Sequence, residues 1–384
     1  MQTPKQFTET MVNRLQQTIE KRNLATAESP VLLMVSGGSD STALAYLGCE
    51  LSTRNVIGPV AILHVNHGIR GAEADRDQAF VSDIATLLDV HLFVCQIDVP
   101  ALVEETGENY EAIARHERYE AAYQALESLC RHVGAPVSSG RIFTAHTQND
   151  RVENFYMRSI VGTGPGGFRS MRYLNGKIAR PCLDVSRDDL RTYLEARRAT
   201  EAPIVSDGDA LWREDATNAH TDQFRAYVRH EIVPRATERN ACLLDTLTRT
   251  MNLIADEDDF MDELAQGLLA DTVRWICLEP AVNDNVILDQ TPNTPEDGCV
   301  ITPEFGKAPL PVRRRCVLTV LQTMLGPESR IETATVDAVI DAWKDGSPIG
   351  GYSTNIQGNL AVSANKAGVR IEPMEAYRAR RNRL

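Results

Sequence analysis

The sequence has no Cys-x-x-Cys pair. Its eight cysteines stand singly, at 49, 95, 130, 182, 242, 277, 299 and 316, so neither a zinc site nor a redox couple is suggested. Long apolar runs are missing too. Nothing approaches the ~20 residues of a membrane-spanning helix, and the first thirty residues lack the apolar centre of a secretory signal. Free thiols in a reducing cytoplasm, with no membrane partner, are the expectation. Positive charge is scarce overall: the formal net charge is −13, which argues against a generic nucleic-acid binder. No internal repeat is visible. The phosphate loop that ends in Gly-Lys-Ser/Thr is also absent.

What is present is soluble and globular in composition, with 43% hydrophobic and 24% charged residues. A length of 384 residues is too great for one ordinary domain, so two are expected. The charge is uneven: residues 151–240 are net +2, while the segments on either side are −8 and −7. A local basic surface could therefore receive RNA while the acidic remainder limits non-specific binding. Solvated arginine-rich helices would give the same count.

The most informative segment is Ser36-Gly37-Gly38-Ser39-Asp40-Ser41. It follows the apolar run Val31–Val35 and precedes a helix-compatible stretch from Thr42 to Leu47. A strand, a tight glycine turn and a helix start offer backbone N–H groups to an anion. Gly37 and Gly38 let the backbone come close to a phosphate. An aspartate inside such a loop makes sense if it holds a magnesium ion that neutralises the phosphates. The pattern resembles the pyrophosphatase loop of enzymes that split ATP into AMP and pyrophosphate.

Five apolar segments, Val31–Val35, Val60–Val65, His91–Ile97, Ile142–Ala145 and Ile178–Leu183, alternate with amphipathic stretches such as Tyr110–Leu129. That alternation predicts an α/β fold: a parallel twisted sheet with helices on both faces. Its ligand cleft would lie beyond the carboxyl ends of the strands, where Ser36–Ser41, Asn66–Gly71 and His146–Asp150 converge. From Asn240 the spacing of Leu243, Leu244, Leu247, Met251 and Ile254 becomes helical. A boundary near Arg239 is expected, giving a catalytic domain over 1–239 and a mainly helical C-terminal domain over 240–384. The latter would close with a hairpin at Leu360–Ser363 and Gly368–Ile371. The acidic run Asp256–Asp259 reads as a solvated helix face, and the arginines from Arg378 onward as a disordered basic tail.

Further segments follow in order: His64-Val65-Asn66-His67-Gly68-Ile69-Arg70-Gly71, Glu111–Tyr119, Thr144–Asn154, Gly162–Phe168 and Trp212–Asn218, leading to Phe224-Arg225 and Val228-Arg229. Read together, from about Val31 to Pro234, they resemble the tRNA(Ile)-lysidine synthetase family. The resemblance implies a Rossmann-like, adenine nucleotide alpha hydrolase-like catalytic fold. It also implies ATP and Mg2+ as cofactors, free L-lysine as co-substrate, and tRNA(Ile) with a CAU anticodon as partner. The C-terminal domain would help grip the tRNA, and a homodimer is left open. In that reaction ATP adenylates the oxygen on carbon 2 of the wobble cytidine. The lysine side-chain amine then displaces AMP.

On this reading Asp40, Asp150 and Arg115 are catalytic, and Asp40 and Asp150 hold Mg2+. Ser36, Gly37, Gly38, Ser39, Asp40, Ser41, His64 and His146 bind ATP. Asn66, His67, Arg118, Gly164, Gly167, Arg225 and Arg229 meet the substrate or the tRNA. Each has a plainer alternative: Asp150 as a helix cap, Arg115 paired with Glu111, His64 and His146 packed at strand ends, and Gly162–Gly167 as an ordinary loop. The sequence departs from the family's usual pattern at Asn149, Arg151, Asn154 and Ala226-Tyr227, which weakens substrate-contact assignments there. Longer members carry a further C-terminal domain, whose tRNA contacts would here be absent or replaced. Competing functions are a tRNA thiolase, a small-molecule ligase and a nucleotide-binding protein without catalysis. The missing Cys-x-x-Cys opposes the first, the His-Val-Asn-His-Gly segment the second, and intact Asp40, Asp150 and Arg115 the third.

Overall fold

The computed structural model describes residues 2–66, 72–214, 224–277, 287–289, 298–326 and 329–382. Two compact units are present, Met1–Ala255 and Asp256–Leu384. In the first, strands β1 (Val31–Met34), β2 (Val60–Asn66), β3 (His91–Gln96), β4 (Arg141–Phe143), β5 (Leu174–Asn175) and β6 (Ile178–Ala179) form one sheet in the order β3-β2-β1-β4-β6-β5. The first four and β6 run parallel, and β5 is antiparallel at the edge. Of the segment expected to be a strand over Ile178–Leu183, only Ile178–Ala179 pairs. Pro181 cannot donate to a ladder, and the chain turns away.

Residues of β1 alternate between two cores, as the period of a strand requires. Val31 and Leu33 join Leu15, Leu44, Leu47, Leu190 and Leu194, which come from α1 (Pro4–Lys21), α2 (Ser39–Thr53) and a later helix, Arg187–Ala199. Leu32, with Leu63 and Ile142, packs on Ala122, Leu126 and Leu129 of the helix Tyr110–Val133. Helices therefore cover both faces, as the alternation predicted. In chain order these helices are α3 (Ala72–Leu87), α4 (Val99–Thr106), α5 (Tyr110–Val133), α6 (Gln148–Val161) and α7 (Arg187–Ala199). The chain builds outward from β1 to β3, then returns to lay β4 on the other side of β1. At this reversal an open sheet leaves a crevice beyond its strand ends. The loop after β1 and the start of α6 after β4 flank it.

The unit closes with α8 (Phe224–Tyr227), a π-helical turn (Val228–Ile232), α9 (Val233–Arg239) and the first half of α10 (Leu243–Thr272). The boundary expected near Arg239 thus falls instead inside α10. The reason is packing: Leu243, Thr248, Met251 and Ala255 are buried, and Asn252 is hydrogen-bonded to Arg151 and Tyr173.

The second unit contains the helices α11 (Leu310–Leu325), α12 (Thr333–Ile340) and α13 (Met374–Asn382). The closing hairpin is also there, as Leu360–Asn365 paired with Gly368–Pro373. That hairpin lies within a six-stranded sheet whose other members are Val273–Cys277, Ile287–Asp289, Cys299–Ile301 and Ser353–Ile356. All described pairings are antiparallel. Its apolar face, including Ile301, Val362, Val369 and Ile371, packs on Val317, Val320 and Leu321 of α11.

Two expectations for this unit fail for the same reason, that charge is paired internally. Asp258 is 7% exposed and, with Asp262, receives Arg315, so the acidic run is not simply solvated. Arg378, Arg380 and Arg381 lie in α13 rather than in a disordered tail, and Arg383 lies outside the described residues. Arg380 Nε donates to the buried Glu372 at 3.1 Å. Among the described residues, no helix is long and apolar enough to cross a membrane.

Candidate active site

Ser36–Ser41 does form the turn between β1 and α2. Gly37 sits at φ +96°, where a side chain would be strained, and its carbonyl accepts from the Arg213 N–H at 2.9 Å. Gly38 has an ordinary extended backbone, so its need for glycine is not conformational. It is the N-cap of α2 and supplies no side-chain cap, which leaves the first-turn amides of the helix for another acceptor. The loop is braced from within. Ser41 Oγ accepts from the Ser36 N–H at 3.1 Å, and Thr42 Oγ1 donates to the Gly37 carbonyl at 3.1 Å. Beneath it, His64 Nδ1 lies 2.9 Å from the Val35 carbonyl, and burial draws the imidazole pKa down.

Across the crevice, Asp150 occupies the third position of α6. Its Oδ2 accepts from the N–H and the hydroxyl of Thr147, at 2.7 and 2.8 Å, in a reciprocal cap. The cap and the functional assignment are compatible, because the other oxygen faces the cleft. There Oδ1 accepts from Arg225 Nη2 at 2.7 Å and lies 3.6 Å from Arg187 Nη2. The same Arg187 donates through Nε to Asp40 Oδ2 at 3.1 Å. One guanidinium therefore bridges the two carboxylates picked out from the sequence. Burial raises Asp40 above the usual carboxylate range, opposed by Arg187 and helped by the charge of Asp150. Burial would raise Asp150 too, but Arg225, Arg187 and the Thr147 N–H hold it below that range.

Two hard carboxylate oxygens from different elements, aimed at one bound cation, are a donor set that suits Mg2+. Asp40 and Asp150 would hold the ion, provided Arg187 gives way and Arg225 yields room at Asp150 Oδ1.

Four side chains that meet at the site escaped the sequence reading. Glu153, one turn beyond Asp150, is 2% exposed and is held at 2.8 Å by Arg225 Nε and at 2.7 Å by Arg229 Nε. Arg225 and Arg229 thus face inward onto acidic groups, four residues apart across the π-helical turn. Arg187 and Arg191, also four apart on α7, both reach the loop; Arg191 Nε lies 3.5 Å from Ser39 Oγ. Arg213, from the Trp212–Asn218 segment, packs along Gly37 and pairs with Asp77 at 3.0 Å. The spacing of two carboxylates, Asp150 and Glu153, at i and i+3 on α6, and of two arginines at i and i+4 on α7, was the available signal.

The remaining expected residues are placed as follows. His146 Nδ1 lies 2.8 Å from Thr144 Oγ1. Burial, with the charges of Arg180, Arg225 and Arg115, pulls His146 down to about 4 against the pull of Asp150. Arg115 is exposed on α5, 5.1 Å from the Tyr119 ring centre, and its charge is felt at His146. Arg118, a turn further on, lies in the field of Arg115. Asn66 Nδ2 donates to Gln78 Oε1 at 3.4 Å. Gly164 has open space around it, but a Cβ on Gly167 would stand 1.8 Å from Thr163 Oγ1, so a side chain there would require Thr163 to shift. His67 lies outside the described residues. Arg151 is turned away from the cleft: it is fully buried, and its Nη1 reaches Tyr173 OH, Asp184 Oδ1 and Asn252 Oδ1 at 3.0–3.1 Å.

A family model described as a PP-loop domain matches residues 7–236. The tRNA(Ile)-lysidine synthase of Thermus thermophilus is 32% identical over 305 residues, which is 79% of this chain and 51% of that protein. Those of Dehalococcoides mccartyi and Clostridium acetobutylicum are 31% and 28% identical, over 68% and 67% of this chain and 54% and 52% of theirs. The chain thus spans about half the length of these curated relatives. The matched stretch holds the glycine loop, both carboxylates and, among the described residues, the arginines that touch them, and the chain belongs to the PP-loop domain family.

Proposed function

We propose that the chain is an ATP-dependent tRNA(Ile)-lysidine synthase. It would join the side-chain amine of free L-lysine to carbon 2 of the wobble cytidine in tRNA(Ile) bearing a CAU anticodon. The observation that carries this reading is the meeting of Asp40 and Asp150 on one cation at the mouth of a glycine loop. The likeness to three named synthases supplies the substrate class.

The pyrimidine oxygen is a poor leaving group and must first become a phosphate ester. The uncapped amides at the start of α2 receive the pyrophosphate portion of ATP, where a fixed helix terminus favours negative charge. Mg2+, when bound by Asp40 and Asp150, offsets charge on the attacking and leaving oxygens. Arg115 would supply a cation to the charge that builds at the α-phosphorus, a role supported by its charge being felt at His146. Attack by lysine needs a neutral amine, so its proton must pass to an acceptor. The products are the lysine-bearing cytidine, AMP and pyrophosphate. The second unit assists tRNA binding through arginines left exposed by its ion pairs, such as Arg378 on α13.

Incubation with ATP, radiolabelled lysine and transcribed tRNA(Ile) tests this directly. Lysine should enter the tRNA, one AMP should be released per lysine, and a transcript with its wobble cytidine changed to uridine should accept none. AMP release without tRNA labelling would refute the lysine assignment.

A further inference from the structure

We propose that Arg187 is a placeholder cation. It holds Asp40 and Asp150 together before the metal arrives, and transfers to the nucleotide phosphates when Mg2+ takes its place. This rests on the reading of the two carboxylates as metal ligands.

Three observations carry it. Arg187 is bidentate toward two residues rather than one, with Nε 3.1 Å from Asp40 Oδ2 and Nη2 3.6 Å from Asp150 Oδ1. Two carboxylates brought this close, with side chains only 19% and 11% exposed, would repel each other without a cation between them. The position is also anchored from the backbone. The Arg187 N–H donates to Asn149 Oδ1 at 2.9 Å, which ties the first residue of α7 to α6 beside Asp150. The side chain is left to swing about a fixed root.

The direction of the swing is also set. On the same face of α7, Arg191 Nε already lies at Ser39 Oγ, at the start of α2 where the loop amides emerge. A guanidinium released from the carboxylates therefore has the anion-binding end of the loop as its nearest new partner. A planar fork of donors suits a phosphate as well as it suits two carboxylates. One side chain would thus balance charge in both states, and metal binding without nucleotide would be disfavoured, because it strands Arg187 without an anion.

The test is Mn2+ binding to the intact chain, followed by the electron paramagnetic resonance of free Mn2+, with and without a non-hydrolysable ATP analogue. Without nucleotide, Arg187→Met should bind Mn2+ more tightly than the parent by roughly fivefold or more, the scale of one partly exposed ion pair. With the analogue the parent should gain affinity strongly and the variant much less, because the variant brings no cation to the phosphates. Arg187→Lys keeps the charge but cannot span both carboxylates, and should fall between them. It serves as the readout if the Met variant does not fold.

Unchanged or weaker Mn2+ binding by Arg187→Met without nucleotide would overturn the placeholder role. If the parent with analogue binds Mn2+ no better than the Asp40→Asn/Asp150→Asn double variant, the carboxylates are not metal ligands. The placeholder role then falls with that reading, and the two failures are told apart by which comparison goes flat.

Discussion

Replacing Arg151 with Met is the sharpest test of the fold that supports the cleft. Arg151 follows Asp150 on α6 and is fully buried. Its Nη1 joins Asp184 at 3.1 Å, the Tyr173 hydroxyl at 3.1 Å and Asn252 at 3.0 Å, and its guanidinium lies 5.3 Å from the Tyr173 ring centre. The network therefore fastens α6 to the first half of α10. Methionine keeps much of the volume, so the loss is chiefly electrostatic. Breaking a buried pair from one side costs about 3–5 kcal/mol. The lower end applies because the Asp184 side chain is 26% exposed and keeps the Tyr173 hydroxyl at 2.6 Å. A loss of about 3 kcal/mol corresponds to a melting shift of roughly 6–12 °C for a unit of this size. Calorimetry would measure the shift, and hydrogen exchange should show faster opening of α6 and residues 243–255. Adding Asp184→Asn should recover part of the loss, since the stranded charge is removed. A melting point within about 2 °C of the parent, together with a collapse in tRNA affinity, would refute the argument and assign Arg151 to the substrate instead.

Asp40→Asn and Asp150→Asn should each cut lysine incorporation by at least the ~3 kcal/mol typical of one electrostatic element in a site, about a hundredfold. Turnover near that of the parent in either would remove it from the machinery. Stability should fall as pH drops from about 6.5 to about 4. His146 is held down to about 4 in the folded chain, while in the unfolded chain it takes up a proton near 6.5. In that window the unfolded state binds more protons, so stability rises with pH. Urea titrations across the window should lose about 1.4 kcal/mol per pH unit for this proton, and His146→Gln should flatten the slope by that amount; an unaltered slope would show that His146 titrates normally. A chain cut after Arg239 should melt well below one cut after Ala255, because it discards the buried Thr248 and Met251 and the Asn252 contacts. Equal melting points would show that the first half of α10 contributes nothing to the unit.

The sequence by itself determined the local pieces. Ser36–Ser41 needs only a strand, a residue with positive φ and a helix start, and all three are written within about a dozen residues. Gly37 was legible for that reason. A cap near Asp150 was legible too, but the sequence offered Asp150 as the cap, whereas that place belongs to Thr147, with Asp150 its partner at the third helical position. The alternation of Val31, Leu32 and Leu33 between two cores follows from the period of a strand, and with it the helices on both faces.

Tertiary structure decided whatever depends on where a long side chain ends. Arginine carries its charge several bonds from the backbone, so spacing cannot show that Arg187 bridges Asp40 and Asp150, that Arg151 points inward, or that Arg225 and Arg229 close on Glu153. It also decided the sheet of the second unit. There Val273–Cys277 pairs with Cys299–Ile301, and Cys299–Ile301 with Gly368–Pro373. Strands this short carry little pattern of their own and take their register from partners far along the chain. The cleft itself belongs to this second class, because Asp40 and Asp150 become neighbours only when β4 is laid beside β1.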